Sequence, residues 1–315
     1  MKQTKNILII GLGAIGSIYA AKFHKKDPES LRILINQDRL FKYKNNPLVF
    51  NAEKYDFNYV LETDNEKKAD IILIATKNNT FSDAVKMIRP FVKEDTVILS
   101  LLNGISSERV LIDEFGTDKV LYSYFIGHAS VKDGRKVSHD GIGKIVFGEK
   151  NNKELSDKVS KVKEVFDSAG IDYLIPEDML SSMWQKFVIN VGINQASAVF
   201  YADYKKMQES KEARDLTLNL MSEAVEIAKA IGIKGYESFI EQTFKVIDKM
   251  PPGLKSSMFQ DIENKRQTEV DIFSGEIIKL GRKLGIKTPF NEFAFNKIKE
   301  IETDFIKTKD CLCTR

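Results

Sequence analysis

"ILIIGLGAIGSIYAAKF", residues 7–23, holds the key to the fold. Four apolar residues run into Gly11-Leu12-Gly13-Ala14-Ile15-Gly16, and a helix-forming stretch follows. G-x-G-x-x-G directly after a strand and opening a helix suits a dinucleotide. The first Gly permits a tight turn, the second lets main chain approach a pyrophosphate, and the third lets helix and strand pack closely. The phosphates rest on the helix N-terminus, whose N–H groups and dipole favour an anion. A βα turn that binds nothing is the plainer reading. It is disfavoured because "RILIN" (32–36) supplies the second strand that the motif requires.

Working outward, "ADIILIAT" (69–76), "TVILSLLNG" (96–104) and "VLYSYFIG" (120–127) are further short apolar runs. Strands apolar on both faces fit a parallel sheet covered on both sides. Residues 14–26, 80–91 and 106–114 read as the helices between them, the alternation of an open α/β domain. "SVKDGRKVSHDGIGKIVFGE", with Gly134, Gly141, Gly143 and Gly148, reads as hairpin-like strands, and 152–169 as a polar amphipathic helix. From residue 178 the strand signal fades. Helices are expected over 181–198, 212–233, 236–250 (stopped by Pro251 and Pro252), 268–286 and 289–307. The expected fold is an α/β nucleotide-binding domain, 1–175, followed by an all-α domain, 176–315.

At 315 residues the chain exceeds what one core usually serves. A formal charge of +3, with Lys and Arg scattered among Asp and Glu, speaks against a nucleic-acid partner. No apolar stretch has the length of a membrane span, and the first apolar run is too short for a signal sequence. The only cysteines, Cys311 and Cys313, sit in the last five residues. They make no disulfide framework, and a lone C-x-C without further Cys or His is a poor metal site, so no metal is expected. A cytoplasmic protein is expected.

NAD-specific turns place Asp or Glu at the end of the second strand to bond the ribose 2′-hydroxyl. Here Asn36 stands there, followed by Gln37, Asp38 and Arg39. A neutral Asn36 removes a charge that would repel a 2′-phosphate, and Arg39 can pair with one, which favours NADP. Asp38 is the contrary sign.

In the second half, "SSMWQKFVINVGINQASA" (181–198) places Lys186, Asn190 and Asn194 four residues apart on an otherwise apolar helix. That spacing sets all three on nearly one stripe. One buried Asn can satisfy a loop carbonyl and one Lys can snorkel, but three such groups need a polar partner opposite. A substrate carboxylate with a reducible carbonyl would serve. A desolvated Lys can then give a proton to the oxygen that gains charge during hydride transfer. A second segment, "SSMFQDIENKRQTEVDIFSGEI", brings Ser256, Ser257, Gln260, Asp261, Glu269 and Asp271. Its serines either bind a carboxylate at a helix start or simply cap the helix.

The G-x-G-x-x-G turn, "LLNG" (101–104), "WQKFVINVGIN" (184–194) and "SSMFQDIENKRQTEVD" (256–271), in this order over nearly the whole chain, resemble the ketopantoate reductase (2-dehydropantoate 2-reductase) family. The resemblance implies a Rossmann domain, a helical domain and a cleft between them. It implies NADPH-dependent reduction of 2-dehydropantoate to (R)-pantoate, on the route to pantothenate and coenzyme A. By the family's pattern Lys186 matches the proton donor, and Asn190, Asn194 and Ser257 the substrate-holding groups. Asn103 matches a residue between nicotinamide and substrate, Lys77 a cofactor contact, and Glu269 a carboxylate near the nicotinamide ribose.

Two positions depart from the pattern. An amide commonly follows the second helix Asn by about ten residues, where this chain has Asp203 and Tyr204, and Asn36 replaces an Arg found in some members. Both leave the exact 2-oxo acid open. A paralogous reductase of another branched 2-oxo acid is the main alternative, and a non-catalytic NADP(H) sensor a second. A β-hydroxyacid dehydrogenase is disfavoured, because its glycine-rich substrate signature is missing around 115–130. A homodimer through the helical half is compatible with the sequence.

Overall fold

The computed structural model describes residues 5–64, 67–127, 131–140 and 143–313. The chain divides into two compact units: Met1–Asn103 with Ser107–Met179, and Gly104–Ser106 with Leu180–Arg315. The boundary therefore falls after Met179 rather than after residue 175. Backbone bonds hold the intervening residues to the first unit, Asn152 N to the Glu177 carbonyl and Met179 N to the Lys150 carbonyl. Gly104–Ser106 is the other departure. Ile105 packs on the helical core, and Gly104 lies against Ile272.

The first unit is built on β1 (Ile7–Ile10), α1 (Ala14–Lys26), β2 (Leu31–Leu34), α2 (Gln37–Asn45), β3 (Leu48–Phe50), β4 (Glu53–Tyr55), β5 (Tyr59–Val60) and β6 (Ile71–Ile74). It continues through α3 (Phe81–Ile88), β7 (Val97–Ser100), α4 (Ser107–Phe115), β8 (Val120–Gly127), β9 (Val131–Asp133), β10 (Lys136–Ser138), β11 (Gly143–Gly148), α5 (Asp157–Ser168) and β12 (Tyr173–Leu174). One eight-stranded sheet runs β12-β11-β8-β7-β6-β1-β2-β5, parallel except between β11 and β8. Its central strands are buried on both faces. Ile7, Ile9, Ile71 and Leu73 enter one core, and Leu8, Ile10, Ile72 and Ile74 the other. Strand order reverses at β1, which has β2 on one side and β6 on the other, and such a switch point opens a crevice at the carboxyl ends of the strands. A four-stranded sheet, β4-β3-β10-β9, stands apart.

The second unit is helical among its described residues: α6 (Met179–Ile189, whose first residue belongs to the first unit), α7 (Gln195–Phe200), α8 (Tyr204–Glu209), α9 (Lys211–Ala230), α10 (Phe239–Lys249), α11 (Ser257–Glu263), α12 (Ser274–Leu284) and α13 (Pro289–Cys313). Trp184, Phe187, Val188 and Val191 pack with Leu220, Met221 and Ile277 in one core. Two expectations are corrected here. The stretch 181–198 is not one α-helix, since Asn190–Asn194 between α6 and α7 is π-helical. Gln195 is the cause: its side-chain amide takes the Val191 carbonyl (2.8 Å), the acceptor its own main-chain N–H would use in an α-helix. The stretch 268–286 is likewise broken. Thr268 is held by Glu302 through both its N–H (2.7 Å) and its hydroxyl (2.6 Å), and α12 starts only at Ser274, whose N–H donates to Gln195 Oε1. No helix among the described residues is long and apolar enough to cross a membrane.

Candidate active site

In the first unit, Gly11 takes φ +102°, and a Cβ there would lie 2.5 Å from the Ala75 carbonyl oxygen. A Cβ on Gly16 would lie 1.9 Å from the Gly11 oxygen. These two glycines are required by packing within the turn. A Cβ on Gly13 would meet nothing nearer than Ala75 O at 3.7 Å, so its place as glycine is not explained by crowding from the protein. Gly13 is also the N-cap of α1, which has no side-chain cap and no acidic residue in its first turn. Such a helix start suits a phosphate. Leu12 is buried in the core, whereas Ala14 and Ile15 are half-buried.

The parallel register brings other candidates to the same edge. Ile10 pairs with Ile74, and Ile74 with Ser100, so Gly11, Lys77 and Asn103 all follow the carboxyl ends of neighbouring strands. Lys77 is exposed and Asn103 half-buried. Asn36 caps α2, its Oδ1 accepting the Arg39 N–H at 3.0 Å, and the Arg39 side chain is exposed. Sequence reasoning passed over Thr76, whose Oγ1 is buried with no partner among the described residues.

In the second unit the π-helical stretch gathers the polar row. Asn190 and Asn194 are both 6% exposed, and Asn194 Nδ2 donates to Asn190 Oδ1 at 3.2 Å. Asn194 Oδ1 accepts from Ser257 Oγ at 3.3 Å. Asn190 Nδ2 has no partner among the described residues, and a buried donor in that state calls for an acceptor. Ser256 caps α11 by accepting the Phe259 N–H and shares a short hydrogen bond with Ser197. The capping alternative therefore describes Ser256, while Ser257 joins the asparagine row. Ser197, three residues after Asn194, was not singled out by sequence, because a lone Ser in "NQASA" carries no signal beyond helix packing.

Lys186 is half-buried at the end of α6. The protein enclosing its ammonium holds its pKa below the usual lysine value, and the Glu269 carboxylate opposes that shift. Glu269 stands at the break before α12, where the backbone is neither α nor extended. Asp203 is occupied elsewhere: it caps α8, accepting the Lys206 N–H at 2.9 Å. Among the described residues no three acidic, His or Cys side chains gather as a metal site, and the Cys311 and Cys313 side chains lie outside those described.

The first unit therefore carries a phosphate-suited turn, and the second unit, described by itself, carries a Lys–Asn–Asn–Ser row with the Glu269 carboxylate acting on its lysine. A 2-dehydropantoate 2-reductase from Pyrococcus abyssi is 28% identical over 297 residues, covering 93% of this chain and 96% of the relative. The solved structure of D-mandelate dehydrogenase with NADH and anilino(oxo)acetate superposes with a TM-score of 0.83 at 22% identity, covering 95% of this chain and 99% of that one. The dimeric ketopantoate reductase from Staphylococcus aureus gives a TM-score of 0.76 at 19% identity, covering 95% and 99%. The model of the ketopantoate reductase PanE/ApbA family matches residues 7–152, and that of the family's C-terminal domain residues 178–302. Between them these matches take in both units and the whole polar row, and the chain belongs to the ketopantoate reductase PanE/ApbA family.

Proposed function

We propose that the chain is an NADPH-dependent reductase that converts 2-dehydropantoate to (R)-pantoate, in the cytoplasmic synthesis of pantothenate and coenzyme A. The observation that carries this reading is a desolvated Lys186 next along its helix to two buried amides, one with an unpaired donor. The family and the relative named 2-dehydropantoate 2-reductase support it.

The residues fit a nicotinamide dinucleotide. Gly11, Leu12, Gly13, Ala14, Ile15 and Gly16 would hold the pyrophosphate at the α1 start, Arg39 the 2′-phosphate, and Lys77, Asn103 and Glu269 the nicotinamide half. Bound there, such a cofactor would supply the hydride that reduces the 2-oxo carbon. Lys186 gives its proton to the ketone oxygen, and its lowered pKa makes that release easier than from a solvated lysine. Glu269 limits the shift and keeps a larger share of the amine charged. Asn190 Nδ2 donates to a substrate oxygen, while Asn194 and Ser257 hold the carboxylate and hydroxyl groups. The D-mandelate dehydrogenase complex, with its NADH and oxo acid, favours a second reading in which another 2-oxo acid is reduced and NADH is used. Exposed Asp38 in the first turn of α2 is consistent with that cofactor. The dimeric Staphylococcus aureus relative makes a homodimer the assembly to test first.

NADPH oxidation across 2-dehydropantoate, 2-oxoisovalerate and other 2-oxo acids, repeated with NADH, decides among these. Highest kcat/KM for 2-dehydropantoate with NADPH is expected. Preference for another acid would move the assignment to the paralogous reductase, and NADPH binding without any turnover would leave a sensor.

A further inference from the structure

One buried carboxyl of the first unit has no part in that reaction. Glu108, in the first turn of α4, is 2% exposed. It sits where two strands part, since the β7–β8 pairing ends at Leu99–Leu121. Beyond that pair, Ser123 Oγ of β8 donates to the Ser100 carbonyl at 2.7 Å. Ser100 Oγ donates to Ser107 Oγ (2.9 Å), which donates to Glu108 Oε2 (3.0 Å). Ser100 Oγ also accepts the Leu102 N–H at 3.4 Å. A single hydroxyl relay thus ties the end of β7 to the start of α4, closing off the loop 101–106 that carries Asn103.

Glu108 Oε1 has no hydrogen-bond partner among the described residues. Burial pushes its pKa up to about 7, while the Ser107 hydroxyl and the N–H groups of Glu108 and Ser123 pull it down. Tyr122 of β8 is the titratable group facing it. A half-satisfied buried carboxyl costs stability that an apolar residue would not. Its gain lies in what it holds.

We propose that Glu108 is a positioning residue for Asn103: by holding Ser107, and through it Ser100, it fixes both ends of the loop 101–106 and so sets where the Asn103 amide stands. The proposal rests on Asn103 being a nucleotide contact, as read above.

A double-mutant cycle tests it, with NADPH Kd read from nicotinamide fluorescence on the full chain. Asn103→Ala and Glu108→Ala are each expected to weaken NADPH, the latter roughly 3- to 10-fold, with no further loss when combined, because the second change acts through the first. Glu108→Gln, which keeps an acceptor for Ser107, should stay within about twofold of the parent. If Glu108→Ala does not fold, Ser107→Ala breaks the same relay and is expected to show the same coupling to Asn103. Additive losses, or unchanged Kd in Glu108→Ala and Ser107→Ala, would overturn the proposal. The readout needs no 2-oxo acid, so absence of turnover would sink the reductase reading while leaving this result intact.

Discussion

At the scale of single residues, the chemistry depends on how protein surroundings shift protons. Lys186 is held below the ordinary value of 10.5 by its enclosure, with Glu269 opposing. The proposed reduction needs its charged form, so on that proposal kcat should fall with rising pH through a limb centred below 10.5. Glu269→Gln removes the opposing charge and should move that limb to lower pH, as read from kcat–pH profiles of the two proteins. Glu108 is shifted the other way, to about 7 from an ordinary 4.5. Its folded form binds the proton more tightly than the unfolded chain does. Its ionisation therefore costs the folded state stability: the cost is absent below about pH 4.5, grows as pH rises and is complete above about 7, in all about 3 kcal/mol. Denaturant titrations at pH 5 and pH 8 should show that loss in the parent and a smaller one in Glu108→Gln. Arg39 is exposed, and its main-chain N–H is engaged by Asn36. Losing its guanidinium should weaken NADPH roughly 10- to 100-fold and leave NADH nearly unchanged. Equal losses of both in binding titrations would remove it from the 2′-phosphate site. Which groups titrate was partly legible in the sequence. Lys186 stood out on an apolar stripe, but Glu108 in "SSERV" looked like any solvated carboxylate.

At the scale of elements, local pattern and tertiary contact divide the credit. The strands Ile7–Ile10 and Ile71–Ile74 were legible because strands buried on both faces read as unbroken apolar runs. Of the small sheet only the β9–β10 hairpin was, since its other strands, "LVF" and "EKY", are three residues long, too short for a period to register. The π-helical stretch was also invisible. It depends on Gln195, held from afar by Asn291 and Ser274, and on Gly192, where a Cβ would lie 2.6 Å from Met221 Cγ. The distant partners carry that geometry, and no window of local sequence contains them. Gly192→Ala must therefore displace either the Met221 side chain or the π-helical backbone that carries Asn190 and Asn194. We expect a stability loss of about 1–3 kcal/mol by denaturant titration and a raised KM for the 2-oxo acid with NADPH Kd little changed. Unchanged KM would detach the asparagine row from substrate.

At the scale of the whole molecule, two-part construction was legible from the change in texture near residue 178, but its seam was not. Met179 joins the first unit through its N–H bond to the Lys150 carbonyl, and Gly104–Ser106 joins the second, where Gly104 lies against Ile272. Such long-range ties leave no local mark. Of the candidate site proposed above, the glycine turn and the Lys–Asn–Asn row are legible because each breaks an expected apolar or packed pattern, while buried Ser197 and Thr76 break none. The function proposed above assigns the cofactor to the glycine turn of the first unit and the proton to Lys186 of the second. The most direct test is the steady-state kcat of Lys186→Ala with NADPH and the preferred 2-oxo acid, beside its NADPH Kd. A fall of roughly 10²- to 10⁴-fold in kcat with Kd unchanged is expected. Wild-type kcat retained at neutral pH would contradict Lys186 as the proton donor.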